Sequence, residues 1–325
     1  MQYTIQRLTA GHADAILDCF QRVYGNTYAE GLFYDSAQLN ARLTEGSLRS
    51  VGAVTESGQV IGHMAMTIVD PDQPPELGNT VVDPDMRGSG LAWQVGAELT
   101  GWCAELGYQG FIHYPTAAHH IMQRQSVKSG FEVGLMLAYI PAETDGKVSA
   151  NKNTRREAAT IVYEPLHTQA ETTSPALTCY LPAYGADFIA RACTEIGLQR
   201  EWLSAGTPDL SPHSETQNNF YPRRSLSRMT VSVIGADFDT AIKALHKNPA
   251  ACYQLDLPMG SPAIDVAVDA ALLAGYCFCG WLPGHHRADV LRLQKVDWQQ
   301  TNFSPALENP FARALLAWLK VPADL

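Results

Sequence analysis

The sequence predicts an α/β fold on a mixed sheet, arranged as two tandem units of one plan. Three observations carry this. Strand-like and helix-like segments alternate from the start to Pro141, a polar stretch "AETDGKVSANKNTRRE" interrupts them, and the remainder repeats the same plan. At 325 residues the chain is also long for a single hydrophobic core. The expected division is a first domain over residues 1–142, a linker over 143–158 and a second domain over 159–325.

The elements follow in order. "YTIQRL" alternates like a strand, and "AGHADAILDCFQRVYG" places Ile16, Phe20 and Val23 at helical spacing. "DSAQLNARLTEG" is a second helix, with Asp35 or Ser36 to cap it and Gly46 to end it. "SVGAVTE" and "QVIGHMAMTIV" form a hairpin through "SGQ", and "LGNTVV" is the next strand. From Leu91 to Leu106, the residues Leu91, Val95, Leu99, Trp102 and Leu106 define one helix face, and Gly107 suits its C-terminal end. "GFIHY" is a short strand, "TAAHHIMQRQSVKSG" a helix and "FEVGLMLAYIP" a closing strand. Strands alternating with helices in this stretch imply parallel pairing around a crossover helix.

The second half begins with the strand "LTCYLPA" and the helix "YGADFIARACTEIG", with Phe188, Ala192 and Ile196 on one face. "SRMTVSVIG", "ADFDTAIKALHKN", "CYQLDLP" and "SPAIDVAVDAALLAG" alternate as strand, helix, strand and helix, the last capped by Ser261 with Pro262 at its first position. Two strands follow Gly275-Tyr276, and "NPFARALLAWLK" is a final helix capped by Asn309 and Pro310.

Composition narrows the function. With 46% apolar and 17% charged residues the chain is globular. Neither a signal peptide nor a membrane span is expected, so the protein reads as cytoplasmic with no membrane partner. The formal charge of −10 argues against nucleic acid and mildly favours cationic substrates. The basic cluster Arg223-Arg224 with Arg228 reads as a solvated loop before a strand rather than an anion site. The seven cysteines are scattered without a C-x-x-C pair, which suits reduced, buried thiols and no zinc site. His119 and His120 are adjacent, so they do not share a helix face, and no third ligand is evident; no metal is expected. His285-His286 reads as solvated.

The most informative stretch is "VVDPDMRGSGLAWQ". A helix N-terminus leaves backbone N–H groups without partners and carries about half a positive charge. Gly88 and Gly90 permit left-handed angles and close approach of an anion, and Arg87 adds charge-assisted donors. The spacing is that of neither a G-x-G-x-x-G turn nor a P-loop.

Strand, "DPDMRGSGLA" and long helix together resemble the acetyl-CoA-binding motif of the GNAT superfamily of N-acyltransferases. Its pattern of Arg or Gln, two residues, Gly, one residue, then Gly or Ala is met by Arg87, Gly90 and Ala92. The resemblance covers residues 1–141 and implies a GNAT fold with acetyl-CoA as cosubstrate. It implies that the turn Arg87, Gly88, Ser89, Gly90, Leu91 and Ala92 holds the pyrophosphate, while Val81 and Val82 pair their backbone with the pantetheine arm. It also implies that the strand at 77–82 splays from the strand at 110–114. The second half resembles the same fold without the cofactor turn, which there reads "VIGADFD".

Acetyl transfer to an amine needs a neutral, aligned amine and a stabilised carbonyl oxygen. Glu76, eleven residues before Arg87, stands at the offset of the base glutamate in the histone-modifying branch. The alternative reading is a solvated carboxylate ending a loop. His119 falls where many members carry a cofactor-contacting asparagine; the alternative is a surface or capping role. Where many members have a tyrosine that protonates the leaving thiolate, this chain has Ser126, so either Tyr114 or His120 serves as the acid or the thiolate leaves with the help of water. The expected function is N-acetyl transfer from acetyl-CoA to a small-molecule, peptide or protein amine by direct attack in a ternary complex. The alternative is an acetyl-CoA-binding sensor with little turnover. Residues 25–45 and the second domain are where an acceptor would be selected.

Overall fold

A computed structural model describes residues 2–144, 154–166, 176–206, 208–285 and 288–319. These fall into two compact units, one of residues 2–113 with 142–144, the other of residues 114–141 with the described residues from 154 onward. Both are mixed α/β.

In the first unit, β1 (Tyr3–Leu8), β2 (Leu48–Thr55), β3 (Val60–Thr67) and β4 (Glu76–Val82) are neighbours in that order, all antiparallel, and β5 (Gly110–His113) joins β4 in parallel. The predicted hairpin turns at Gly58, φ +82. α1 (Ala13–Tyr24) buries Ile16, Phe20 and Val23 as its spacing predicts, together with Cys19. α2 (Ser36–Glu45) is capped by Asp35, whose carboxylate accepts from the Gln38 amide at 2.9 Å, while Ser36 donates to Asp14 instead. These helices pack a core of Ile16, Phe20, Phe33, Leu39, Leu48 and Val81.

α3 (Leu91–Glu105) buries Leu91, Val95, Leu99 and Cys103. Here the predicted face is corrected at its C-terminal end: Leu106 is 41% exposed, and Trp102 lies under the guanidinium of Arg7 at 4.6 Å. Arg7 also pairs with Glu98 and Glu105, so the outer half of the helix is held by charge.

The second unit contains α4 (His120–Ser126), β6 (Phe131–Ile140), β7 (Glu157–Pro165), β8 (Leu177–Leu181), α5 (Ala186–Ile196), β9 (Arg200–Ser204), β10 (Glu215–Tyr221), β11 (Leu226–Val233), α6 (Phe238–Leu245), β12 (Cys252–Pro258), α7 (Ile264–Leu273), β13 (Cys277–Pro283), β14 (Asp289–Val296) and α8 (Pro310–Trp318). Its main sheet runs β7-β6-β13-β14-β12-β11-β10, with β11 and β12 parallel and every other neighbour antiparallel; β8 and β9 pair separately. Where β6 meets β13, Gly134 faces Gly280. A Cβ on Gly134 would lie 2.6 Å from the Gly280 Cα, so the two backbones meet only because neither residue has a side chain.

The units divide earlier than the composition change suggests. β6 pairs along its length with β7, and Gln294 of β14 bonds to Leu135 and Leu137 of β6, so residues 114–141 pack with the C-terminal half. Glu157 and Ala158, expected in the linker, begin β7; residues 145–153 of that linker lie outside the described residues. Strands β7, β9 and β10 were not anticipated. In β10, "ETQNNFY" is mostly exposed and polar because it is an edge strand with β11 as its one neighbour, so it lacks an alternating apolar signature. α4 spans seven residues, shorter than the expected 116–130. α7 starts at Ile264 with Ala263 at the cap position, while Ser261 Oγ accepts from the Ala263 amide, so the predicted cap acts one turn earlier.

Glu132 of β6 is buried, and its carboxylate accepts from the Ala312 amide in the first turn of α8 at 3.0 Å. Burial outweighs that bond and pushes its pKa up to about 7. The folded state then keeps a proton that the unfolded chain releases near pH 4.5, so this residue's contribution to stability falls as pH rises from about 5 to 7. Glu132→Gln should therefore stabilise the protein at pH 8, by on the order of 3 kcal/mol, and leave it little changed at pH 5. Urea melts of both proteins across that range check this. The difference between them isolates Glu132 from His63 and His113, whose lowered pKa values act in the opposite direction.

Candidate acyl-CoA site

The site is built on β4 and the turn that follows it. β4 and β5 are paired at Glu76↔Ile112, with the Ile112 amide bonded to the Pro75 carbonyl, and then part. Val81 and Val82 still pair with β3, through His63↔Val81 and Gly62↔Val82. The splay expected between 77–82 and 110–114 is thus present. Glu76, half-buried, stands where it begins.

Beyond Val82 the chain is tied down at Asp83. Its carboxylate accepts from Arg22 Nε at 2.9 Å and from the Asp85 amide at 3.3 Å. Pro84–Met86 makes one tight turn, and Arg87 is extended and exposed. Gly88 and Gly90 take φ +78 and +79, angles that glycine adopts at little cost, and Gly90 occupies the cap position of α3 without a side-chain cap bond.

The amides of the turn divide into two sets. Those of Arg87 and Ser89 bond back to the Pro84 and Met86 carbonyls at 3.4 Å, and Ser89 Oγ donates to Met86 at 2.6 Å. The amides of Gly88, Gly90, Leu91 and Ala92 have no acceptor among the described residues. Four donors at the N-terminus of a fifteen-residue helix suit a phosphate. Leu91 anchors the start of the helix: it is buried against Gly62 of β3, where a Cβ would lie 2.9 Å from its Cδ2.

Three residues that the sequence reading passed over shape β4 itself. Between Gly78↔Ala65 and Val81↔His63 the strand carries one extra residue, a β-bulge, with Asn79 at φ +54. His63 Nδ1 donates to the Asn79 carbonyl at 3.0 Å, and Tyr28 Oη donates to Asn79 Oδ1 at 2.9 Å. Burial lowers the His63 pKa to about 4, so the ring is neutral and its Nε2 accepts from Ser50 Oγ at 3.1 Å. A histidine inside an apolar strand gives no local sign of such a bond. His113 of β5 is likewise held neutral by burial, its pKa lowered to about 4, and its Nε2 has no partner among the described residues.

The remaining candidates lie in the second unit. Tyr114 Oη accepts from Arg292 Nη1 at 3.4 Å, and Arg292 forms a buried two-bond pair with Asp256 at 2.6 and 2.7 Å. His119 is at the cap position of α4 but makes no side-chain cap bond; burial lowers its pKa, and its Nδ1 is unpartnered among the described residues. His120 pairs through Nδ1 with Glu308 at 2.8 Å. The Ser126 hydroxyl donates to the Met122 carbonyl at 2.9 Å and is committed within its own helix. Among the described residues no group of three His, Cys, Asp or Glu could hold a metal, and no helix is long and apolar enough to cross a membrane.

An open strand edge thus runs into a glycine-lined helix N-terminus whose free amides suit an anionic group. The family model described as the acetyltransferase (GNAT) family matches residues 13–125, so the chain carries a GNAT acetyltransferase domain and is an acyltransferase by class. Solved structures similar to it include the ribosomal-protein-S18-alanine N-acetyltransferase from Escherichia coli (19% identity, covering 54% of this chain and 100% of that chain, TM-score 0.41). Another is the phosphinothricin acetyltransferase from Sinorhizobium meliloti in complex with acetyl-CoA (22% identity, 54% and 94% covered, TM-score 0.40). A third is a putative acetyltransferase from Salmonella typhimurium with acetyl-CoA (16% identity, 54% and 100% covered, TM-score 0.41). No curated protein matches the chain.

Gly62→Ala tests the packing that seats the turn. The added methyl would push on Leu91, and the expected cost is about 1–3 kcal/mol of stability, read as a lower Tm.

Proposed function

We propose that the N-terminal unit binds acetyl-CoA at the β4–α3 turn and transfers the acetyl group to an amine by direct attack in a ternary complex. The observation that carries this is the set of four amides, at Gly88, Gly90, Leu91 and Ala92, that have no acceptor among the described residues and lie beside an open β4 edge. Those amides, with Arg87, would hold the pyrophosphate, and the backbone of Val81 and Val82 would line the pantetheine arm. Bound acetyl-CoA would supply the activated acyl carbonyl. Glu76, at the parting of β4 and β5, would accept the proton that the amine loses, directly or through water. The acceptor would be a small-molecule, peptide or protein amine; the neighbouring structures named above include enzymes for a protein alanine and for phosphinothricin.

We read residues 159–325 as a degenerate GNAT-like domain. What supports this is the element order β11-α6-β12-α7-β13-β14, which matches β4-α3-β5-α4-β6-β7, with a parallel first pair and an antiparallel last pair in each. Among its described residues the cofactor features are missing. β11 and β12 stay paired from Leu226↔Cys252 to Thr230↔Asp256, and the turn before α6 is closed by other backbone. A Cβ on Gly235 would lie 2.2 Å from the His213 carbonyl carbon, and Asp237 places a carboxylate at the helix start, bonded to His213 and the Ser214 amide.

A non-catalytic acetyl-CoA sensor is the second reading, favoured by the committed hydroxyl of Ser126 and the pairing of His120 with Glu308. Calorimetric titration with acetyl-CoA, followed by thiol release against an amine panel, separates the two. Binding with release establishes the transferase, and binding without release across the panel favours the sensor. Gly90→Asp should abolish acetyl-CoA binding with the fold kept, because it sets an anion among the donors in a backbone conformation disfavoured for aspartate. Glu76→Gln should slow thiol release by roughly 10²-fold or more at neutral pH with affinity for acetyl-CoA unchanged. Equal rates would remove Glu76 as the base.

A further inference from the structure

The main sheet of the second unit has unlike faces. One buries apolar residues, among them Met229 and Val231 of β11, Leu255 of β12 and Leu293 of β14. On the other, strand register sets two polar rows side by side, because paired residues and residues two apart share a face. Asn219, Arg228, Gln254 and Gln294 are successive partners across β10, β11, β12 and β14, and Gln217, Thr230, Asp256 and Arg292 form the next row. Arg228, which the sequence groups with a solvated loop, is thus a residue of β11 set among polar groups.

Buried polar groups need partners, and most of these have them. Gln294 donates to the Leu135 and Phe278 carbonyls and accepts from the Leu137 amide. Arg292 gives Nε and Nη2 to the two oxygens of Asp256. Two groups stay open. Gln254 is buried, its Oε1 accepts from Arg228 Nε at 2.9 Å, and its Nε2 has no acceptor among the described residues. Arg228 bonds to Gln254 and stands 5.6 Å from the Tyr221 ring centroid, with no carboxylate in ion-pair contact among the described residues. Two arginines against one aspartate leave the rows one positive charge. Gln254, Asp256 and Arg292 are buried and Arg228 is half-buried, so Arg228 is the charged member that a ligand can reach.

We propose that Arg228 and Gln254 form an anion site that takes the carboxylate group of a small organic acid. A carboxylate is planar and accepts side by side from a guanidinium and a neighbouring N–H. Its single charge balances the single positive charge of the rows. A phosphate monoester carries roughly two charges at neutral pH, and the second would stand close to Asp256, across the next strand pairing. All of these residues belong to the second unit, and the site is independent of the acetyl-CoA reading.

The test is scanning calorimetry of the full chain as sodium acetate replaces sodium chloride at constant ionic strength, with inorganic phosphate in a parallel series. A ligand that binds the folded state raises Tm with saturation. Acetate should do so in the wild type and equally in Gly90→Asp, where the α3 turn no longer serves an anion. The rise should vanish in Arg228→Met, which keeps the length of the side chain and removes its charge, and shrink in Gln254→Leu. Should Arg228→Met fail to fold, Arg228→Lys, which keeps the charge but loses the planar fork, should show a smaller rise than the wild type. No saturable rise with acetate, or a rise that Arg228→Met (or Arg228→Lys in its place) leaves at the wild-type size, overturns the site. A rise with phosphate that needs Arg228, where acetate gives none, overturns the assignment to a carboxylate.

Discussion

The N-terminal unit depends on β4 having a full-length partner on one side and a departing one on the other. Along β3 the strand is paired, apart from its bulge; toward β5 it is paired at Glu76↔Ile112 and then open. An unpaired strand edge is a row of backbone donors and acceptors that must be met by something. Because this edge leads straight into the N-terminus of α3, the groups left open by the strand and those left open by the helix are continuous in sequence. The bulge at Asn79, the anchor at Asp83 and the contact of Leu91 with Gly62 all serve to hold that continuous strip in place.

The second unit shows the contrast. There the corresponding parallel strands, β11 and β12, remain zipped over five residue pairs, and the edge that would be open is used for sheet pairing. Its helix-entry turn is packed against His213 and Ser214 and carries Asp237, whose carboxyl is held down to about 2 chiefly by its bond to His213. A turn that supplies its own anion has no use for a second one. The same strand-helix-strand arrangement thus yields an open strip of backbone groups in one case and a sealed sheet in the other, and the difference lies in a few residues at the turn and in the pairing beside it.

The second unit is organised around buried charge. Asp256 and Arg292 face each other across β12 and β14, with side chains that are 8% and 3% exposed. Asp289 accepts from Arg200 Nε and Nη2, from the Trp281 indole and from the Gly284 amide, tying β9 to β13 and β14. Such pairs gain little net stability over well-packed apolar groups, but losing one partner strands a buried charge. They make the arrangement of the strands hard to alter.

The sequence by itself determined most of the helices, the strands that flank them and the glycine turn before α3, because each is written in local signals. Helical spacing in α1 and α3, glycines at angles that disfavour other residues, and an Asx cap at Asp35 act over a few residues and need no distant partner. What only the tertiary structure decided depends on partners far away in the chain. β10 is a strand because β11 lies beside it, not because its polar residues alternate. Residues 114–141 belong with the C-terminal half because β6 finds its hydrogen bonds there. His63, Asn79 and Tyr28 form one cluster across 51 positions of sequence, from Tyr28 to Asn79. No periodicity can encode that, since the bond that makes His63 matter exists only once β3 and β4 are paired and the core around Phe20 has closed.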